Sequence, residues 1–215
     1  MANSILPLID IYPVSESGFE GTGYLHSIIE SADDYADFIA YRRSHGGIQE
    51  AVADELSLAK SYKQCKRQML YLKDVPSINK YRNDPENCCL DAVEKELRNN
   101  GQQLSQGQKL FHGGIFPLTD INGEPILDTE FVLSKPLSTS FCSMIAASNA
   151  DTHHSRHLWI ITISESCKLP AYVFSNASNQ ALGYELEVLL GTGAKVKCLN
   201  VRENIYFDVL EVIVT

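Results

Sequence analysis

From Lys109 to the C-terminus the chain breaks into short apolar runs punctuated by Gly, Pro, Asn and Ser, and this pattern restricts the fold more than any other feature. The runs predict strands over Lys109–His112, Glu130–Leu133, Pro136–Ser140, Leu158–Ile163, Ala171–Phe174, Tyr184–Leu190, Lys195–Val201 and Tyr206–Val214. A single helix, about Cys142 to Asn149, interrupts them. Strands this short and this closely spaced, without a helix between each pair, point to a mostly antiparallel sandwich or split barrel rather than a wound parallel sheet. The first half reads differently. Residues 1–24 look irregular, with Gly18, Gly21 and Gly23. Ser31-Ala32-Asp33-Asp34 opens a helix carrying Tyr35, Phe38, Ile39 and Tyr41, closed at Gly46-Gly47. A second helix is expected from about Gln49 to Leu72. A polar linker then follows Pro76, and a third helix, about Pro85 to Leu97, stops at Asn99-Asn100-Gly101. The fold class is therefore α+β, with a helical region over residues 1–107 packed on a sheet-rich core over 108–215.

The hydrophobic fraction of 44% suffices for a real core. A net charge of −9 and a pI near 5.1 argue against a general nucleic-acid binder, which needs a basic face for phosphates. The six cysteines form no C-x-x-C pair and suit reduced thiols in a cytosol-like compartment. The N-terminus lacks a basic region before its apolar residues, and Pro7 and Asp10 break the run, so no cleavable signal and no membrane span is expected. Export by a route without such a signal stays open.

Three segments carry candidate chemistry. Gly183-Tyr184-Glu185-Leu186-Glu187-Val188-Leu189-Leu190 sets two carboxylates two residues apart. In an extended strand both point to one face, while Leu186, Val188 and Leu190 point to the other. Taken alone, the pair fits an edge strand with one solvated face. Lys135-Pro136-Leu137-Ser138-Thr139-Ser140-Phe141 places Ser138 and Ser140 on a common face. Lys109-Leu110-Phe111-His112-Gly113-Gly114 ends an apolar strand in a histidine and two glycines. A second His-Gly-Gly, at His45-Gly46-Gly47, reads as a helix end.

In this order the three segments resemble the ADP-ribosyltransferase family, whose members carry an aromatic-Arg-Gly or aromatic-His-Gly strand, then Ser-Thr-Ser, then Glu-x-Glu. The resemblance covers residues 108–215. It implies a split β-sandwich, NAD+ as co-substrate without a metal, and transfer of ADP-ribose to a side chain of a protein acceptor, a host protein among the candidates. Small members with this motif set are often bacterial or phage toxins and effectors, acting in a host cytosol.

The resemblance assigns Glu187 to NAD cleavage, where a carboxylate stabilises positive charge developing on the ribose. Ser138 would donate to that carboxylate and lock its rotamer. Glu185 would meet the acceptor and take its proton. His112 would bond a ribose hydroxyl, the Gly113 backbone would approach the nicotinamide amide, and Thr139, Ser140 and Phe141 would complete the NAD-binding set. Asn179, Gly183 and Tyr184 fall in the acceptor-recognition loop. An acid at Glu185 goes with arginine acceptors, which a pair of carboxylates suits, and hydroxyl acceptors such as Thr or Ser remain. The chain departs from the pattern at His112, where members with Ser-Thr-Ser usually carry arginine. The grip on the NAD pyrophosphate or ribose oxygens would then fall to Arg156, Lys135 or a basic residue of the helical half. NAD glycohydrolysis, or a catalytically inactive binding module on the same fold, are the other readings.

The remaining features read as structure. His153-His154-Ser155-Arg156-His157 looks like an exposed loop rather than a metal site. Cys142 reads as a buried thiol and Trp159 as core. Lys60, Lys63, Lys66 and Arg67 read as the solvated face of a helix.

Overall fold

The computed structural model describes residues 4–20, 23–42, 46–174 and 186–215, with only the backbone of 16–20, 23–27 and Gly46. The chain opens with an antiparallel hairpin, β1 (Val14–Glu20) and β2 (Gly23–Ile29), paired from Val14↔Ile29 to Glu20↔Gly23. This corrects the irregular reading of residues 1–24. Gly18 and Gly23 sit within strands that pair with each other, and Val14 and Ile29 are buried at the hairpin base; Gly21 lies outside the described residues.

Helix α1 (Ala32–Arg42) starts where the sequence places it, with the Ser31 hydroxyl accepting from Asp34 N at 3.1 Å as an N-cap. Gly46-Gly47 does not close it. Both glycines belong to the first turn of α2 (Gly46–Leu58). The single long helix expected to Leu72 is broken at Ala59, whose ψ of 125° is extended, and α3 (Lys60–Gln68) follows. Lys60, Lys63 and Arg67 are exposed on α3.

The expected linker after Pro76 is also helical: α4 spans Pro76–Asn83, and α5 spans Leu90–Asn100. Pro76 opens α4, because proline at a first helical position loses no hydrogen bond. Helix α4 has no side-chain cap of its own. The Glu96 carboxylate on α5 instead accepts from Ser77 N at 2.9 Å and Ile78 N at 3.0 Å.

The sheet comprises β3 (Gln102–Gln103), β4 (Lys109–Gly113), β5 (Glu130–Val132), β6 (Leu137–Ser140), β7 (His157–Ile163), β8 (Pro170–Val173), β9 (Glu187–Leu190), β10 (Lys195–Arg202) and β11 (Asp208–Val214), with α6 (Ser143–Thr152) after β6. Among the described residues these nine strands run in the order β3-β8-β9-β6-β4-β7-β11-β10-β5. Pairing is antiparallel except for β7 with β11. The sheet is pinched in the middle, since β4 and β6 share one partner pair, Phe111↔Ser140. That seam divides it into the two halves of a split sandwich, as the α+β expectation required.

Buried side chains from Leu6 to Val214 share one apolar cluster to which both the helical region and the sheet contribute. A second cluster, with Val75, Ile78, Val93 and Leu97, seats α4 and α5 on Tyr172, Phe174 and Leu189. Trp159 is buried as expected, its Nε1 donating to Gly114 O at 2.8 Å. Among the described residues no helix is long and apolar enough to cross a membrane.

Candidate active site

Glu187 is the first residue of β9, which lies between β8 and β6, so this is an interior strand and not the solvated edge that an isolated acid pair suggests. All four of its residues are buried. The preceding residue, Leu186, has φ +49°, in the left-handed region that costs an ordinary side chain on the order of 1–2 kcal/mol. Its buried side chain and the bond from Phe141 N to Leu186 O, 3.1 Å, hold it there. The extended alternation expected from Tyr184 to Leu190 is therefore interrupted at Leu186. Glu185, Tyr184, Gly183 and Asn179 lie outside the described residues.

The register brings Ser140 opposite Glu187 and Ser138 opposite Leu189. The three residues of Ser-Thr-Ser then take different tasks. Ser138 Oγ donates to Glu187 Oε1 at 2.7 Å. Thr139 Oγ1 donates to Val188 O at 2.7 Å, stapling β6 to β9. Ser140 Oγ accepts from Cys142 N at 3.0 Å and shapes the entry into α6. Phe141 is buried, edge-on to Tyr62 with centroids 5.9 Å apart.

Across the seam, His112 Nδ1 lies 2.7 Å from Ser138 O. A carbonyl oxygen only accepts, so Nδ1 carries the proton and the neutral ring presents a lone pair at Nε2. The ring packs edge-on to Trp159 at 4.7 Å. Burial pulls the His112 pKa below its ordinary value, and nearby His153 adds to this, against the bond to Ser138. The histidine is thus a neutral, oriented acceptor and not a stand-in for a guanidinium. The Cβ that Gly113 lacks would fall 1.7 Å from Ala146 O, so this glycine lets α6 press onto β4.

A positive charge reaches the carboxylate from elsewhere. Arg82, near the end of α4, places Nε 3.0 Å from Glu187 Oε2, with side-chain exposures of 4% and 9%. Its Cζ sits 4.8 Å from the centroid of the Phe174 ring. The contact lies off hydrogen-bond alignment, so charge is what makes it attractive. The basic residue expected from the sequence was one to hold the NAD pyrophosphate, which is a different task from facing Glu187. Helix α4 itself was missed, and no local motif marks Arg82. Of the other candidates, Arg156 pairs with Asp208 at 3.3 Å and Lys135 is exposed.

The remaining singled-out residues are structural in placement. Burial raises the Cys142 thiol, which lies 3.1 Å from Tyr35 Oη. His157 Nδ1 accepts from Phe116 N at 3.1 Å. No group of three potential metal ligands gathers among the described residues.

Because burial lowers both His112 and His157, protons bind the unfolded chain first as pH drops below about 6.5. Stability is therefore present in full above that value and is lost as pH falls through it. Calorimetry from pH 7.5 to 5.5 should show a falling melting temperature, with a shallower fall in His112→Gln. An equal slope in that variant would remove His112 from the explanation.

No protein-family model and no curated protein sequence matches the chain. Solved structures do. The ADP-ribosyltransferase Vis of Vibrio splendidus, solved with the M6 inhibitor, superposes with a TM-score of 0.53 at 12% identity, over 83% of this chain and 90% of Vis. The Clostridium limosum C3 exoenzyme gives a TM-score of 0.49 at 13% identity, over 76% of this chain and 94% of that one. Plx2a, an ADP-ribosyltransferase toxin from Paenibacillus larvae, gives 0.46 at 15%, over 78% and 96%. With its pinched sheet and its extent over most of Vis, this chain has the ADP-ribosyltransferase fold.

Proposed function

We propose that the protein is a mono-ADP-ribosyltransferase that cleaves NAD+ and transfers ADP-ribose to a side chain of a protein acceptor. The observation that carries this reading is the buried Glu187 carboxylate, oriented by Ser138 Oγ at 2.7 Å, at the seam where the three motif segments converge. A carboxylate fixed in this way needs little reorganisation when positive charge develops at the anomeric carbon. The bond from that carbon to nicotinamide breaks and the electron pair leaves with nicotinamide. The acceptor's lone pair then forms the new bond, and its proton passes to Glu185. His112 Nε2 is an acceptor suited to a ribose hydroxyl. Residues 108–215 supply the motifs, and residues 1–107 are the region packed on them.

Arginine is the favoured acceptor, with hydroxyl side chains next, and the protein is read as a bacterial effector or toxin working in a host cytosol. Incubation with labelled NAD+ and a cell lysate should label a discrete protein band. Mass spectrometry of that band should find ADP-ribose on an arginine. Glu185→Ala should lose the band yet still release nicotinamide. Nicotinamide release without any labelled protein in the wild type points to a glycohydrolase instead. A stable partner in a pull-down with no NAD consumption points to a binding module.

A further inference from the structure

We infer that Arg82, on a helix outside the motif-bearing sheet, is a positioning residue for the Glu187 carboxylate. Its kinetic consequence rests on the transferase reading, whereas the pairing itself does not.

The two oxygens of Glu187 are held by different parts of the chain. Oε1 accepts from Ser138 on β6 at 2.7 Å, and Oε2 faces Arg82 on α4 at 3.0 Å. Held at both oxygens, the carboxylate can neither spin about its last torsion nor swing to another rotamer without breaking one of the contacts. The charge argument is independent of the geometric one. A carboxylate exposed by only 9% is expensive to keep ionised unless a cation is beside it. Ser138 is neutral, and His112 carries its proton on Nδ1 toward a carbonyl with its pKa lowered by burial. Arg82 brings the compensating charge.

Its own placement is firmly set. Tyr81, its neighbour on α4, donates to Pro136 O at 3.1 Å, tying the helix to the residue just before β6. Ile78 is fully buried, and Glu96 caps the start of the helix. The guanidinium lies against Phe174, a stacking contact that its flat, weakly hydrated plane suits better than an ammonium would. The helical region therefore contributes a side chain to the site and is more than a cover for it.

The test uses the full chain with Arg82→Gln, Arg82→Lys, Glu187→Gln and the Arg82→Gln/Glu187→Gln double variant. For NAD cleavage, Arg82→Gln should lower kcat roughly tenfold to a hundredfold with the KM for NAD+ within about threefold. Arg82→Lys should recover a good part of the loss. A raised KM at unchanged kcat would make Arg82 a substrate-binding residue instead, and an unchanged kcat in folded Arg82→Gln would also overturn the inference. Thermal melts decide the pairing even if the wild type consumes no NAD+. Each single variant breaks the pair from one side, so the double variant should melt above the value expected from adding the two single losses. Additive losses would sink the idea. Failure of NAD consumption in the wild type would count against the transferase reading alone.

Discussion

Glu187→Gln should lower NAD cleavage roughly a thousandfold or more, equivalent to about 4 kcal/mol of transition-state stabilisation. The amide keeps the size of the carboxylate and can still accept from Ser138, so the site changes in charge and hardly at all in shape. The Arg82 guanidinium loses the charge of the carboxylate beside it, and the melting temperature should fall. Activity is therefore to be measured well below the midpoint, with circular dichroism showing the wild-type fold. Nicotinamide release by the folded variant at the wild-type rate would take Glu187 out of the chemistry. Ser138→Ala is the milder companion, because it frees one oxygen while leaving the charge in place.

The largest structural effect is expected at Gly113. An added methyl would meet Ala146 O at 1.7 Å and Ala150 N at 2.6 Å, both backbone atoms of α6. Neither can turn aside as a flexible side chain would, so β4 and α6 must separate. Gly113→Ala should cost about 3 kcal/mol or more, near the top of the range for overpacking, and lower the melting temperature by roughly 10 °C. Gly114→Ala is the matched control, since its methyl would meet only the His112 ring, Nε2 at 2.9 Å. It should melt closer to the wild type. Equal losses in the two variants would show that strand β4 does not depend on close contact with α6.

The sheet was legible because its strands are runs of β-branched and aromatic residues bounded by Gly, Pro and Asn, and such signals are local. The contact of Ser138 with Glu187 was legible for a different reason: the resemblance to the ADP-ribosyltransferase family implies it, and Ser138 Oγ does donate to Glu187 Oε1. The structure puts Ser140 opposite Glu187 accordingly. Two kinds of information were hidden. The hairpin over Val14–Ile29 contains glycines that read locally as breakers, and only the cross-strand partner reveals the strand. Helix α4 is short and polar, its first turn capped by Glu96 from another helix. Its helicity is conferred by tertiary contacts, which propensity cannot register. With α4 unseen, Arg82 had no position from which to approach Glu187. The break at Ala59 was hidden likewise, since alanine is the residue least expected to end a helix.

The left-handed turn at Leu186 bears on how such a protein can diverge. A continuous pleat through Glu-x-Glu would weld the two acids into one rigid unit, so that any change around the first would drag the second. With the chain turned at Leu186, and that residue anchored by its buried side chain and by Phe141 N, the frame that aims Glu187 ends there. A change of pleat N-terminal to this turn need not re-aim the carboxylate, which Ser138 and Arg82 hold from β6 and α4. If, as proposed, Glu187 serves bond cleavage and Glu185 the acceptor, the two become separately heritable traits, and a lineage can trade one target for another while the carboxylate that stabilises the ribose cation stays in place.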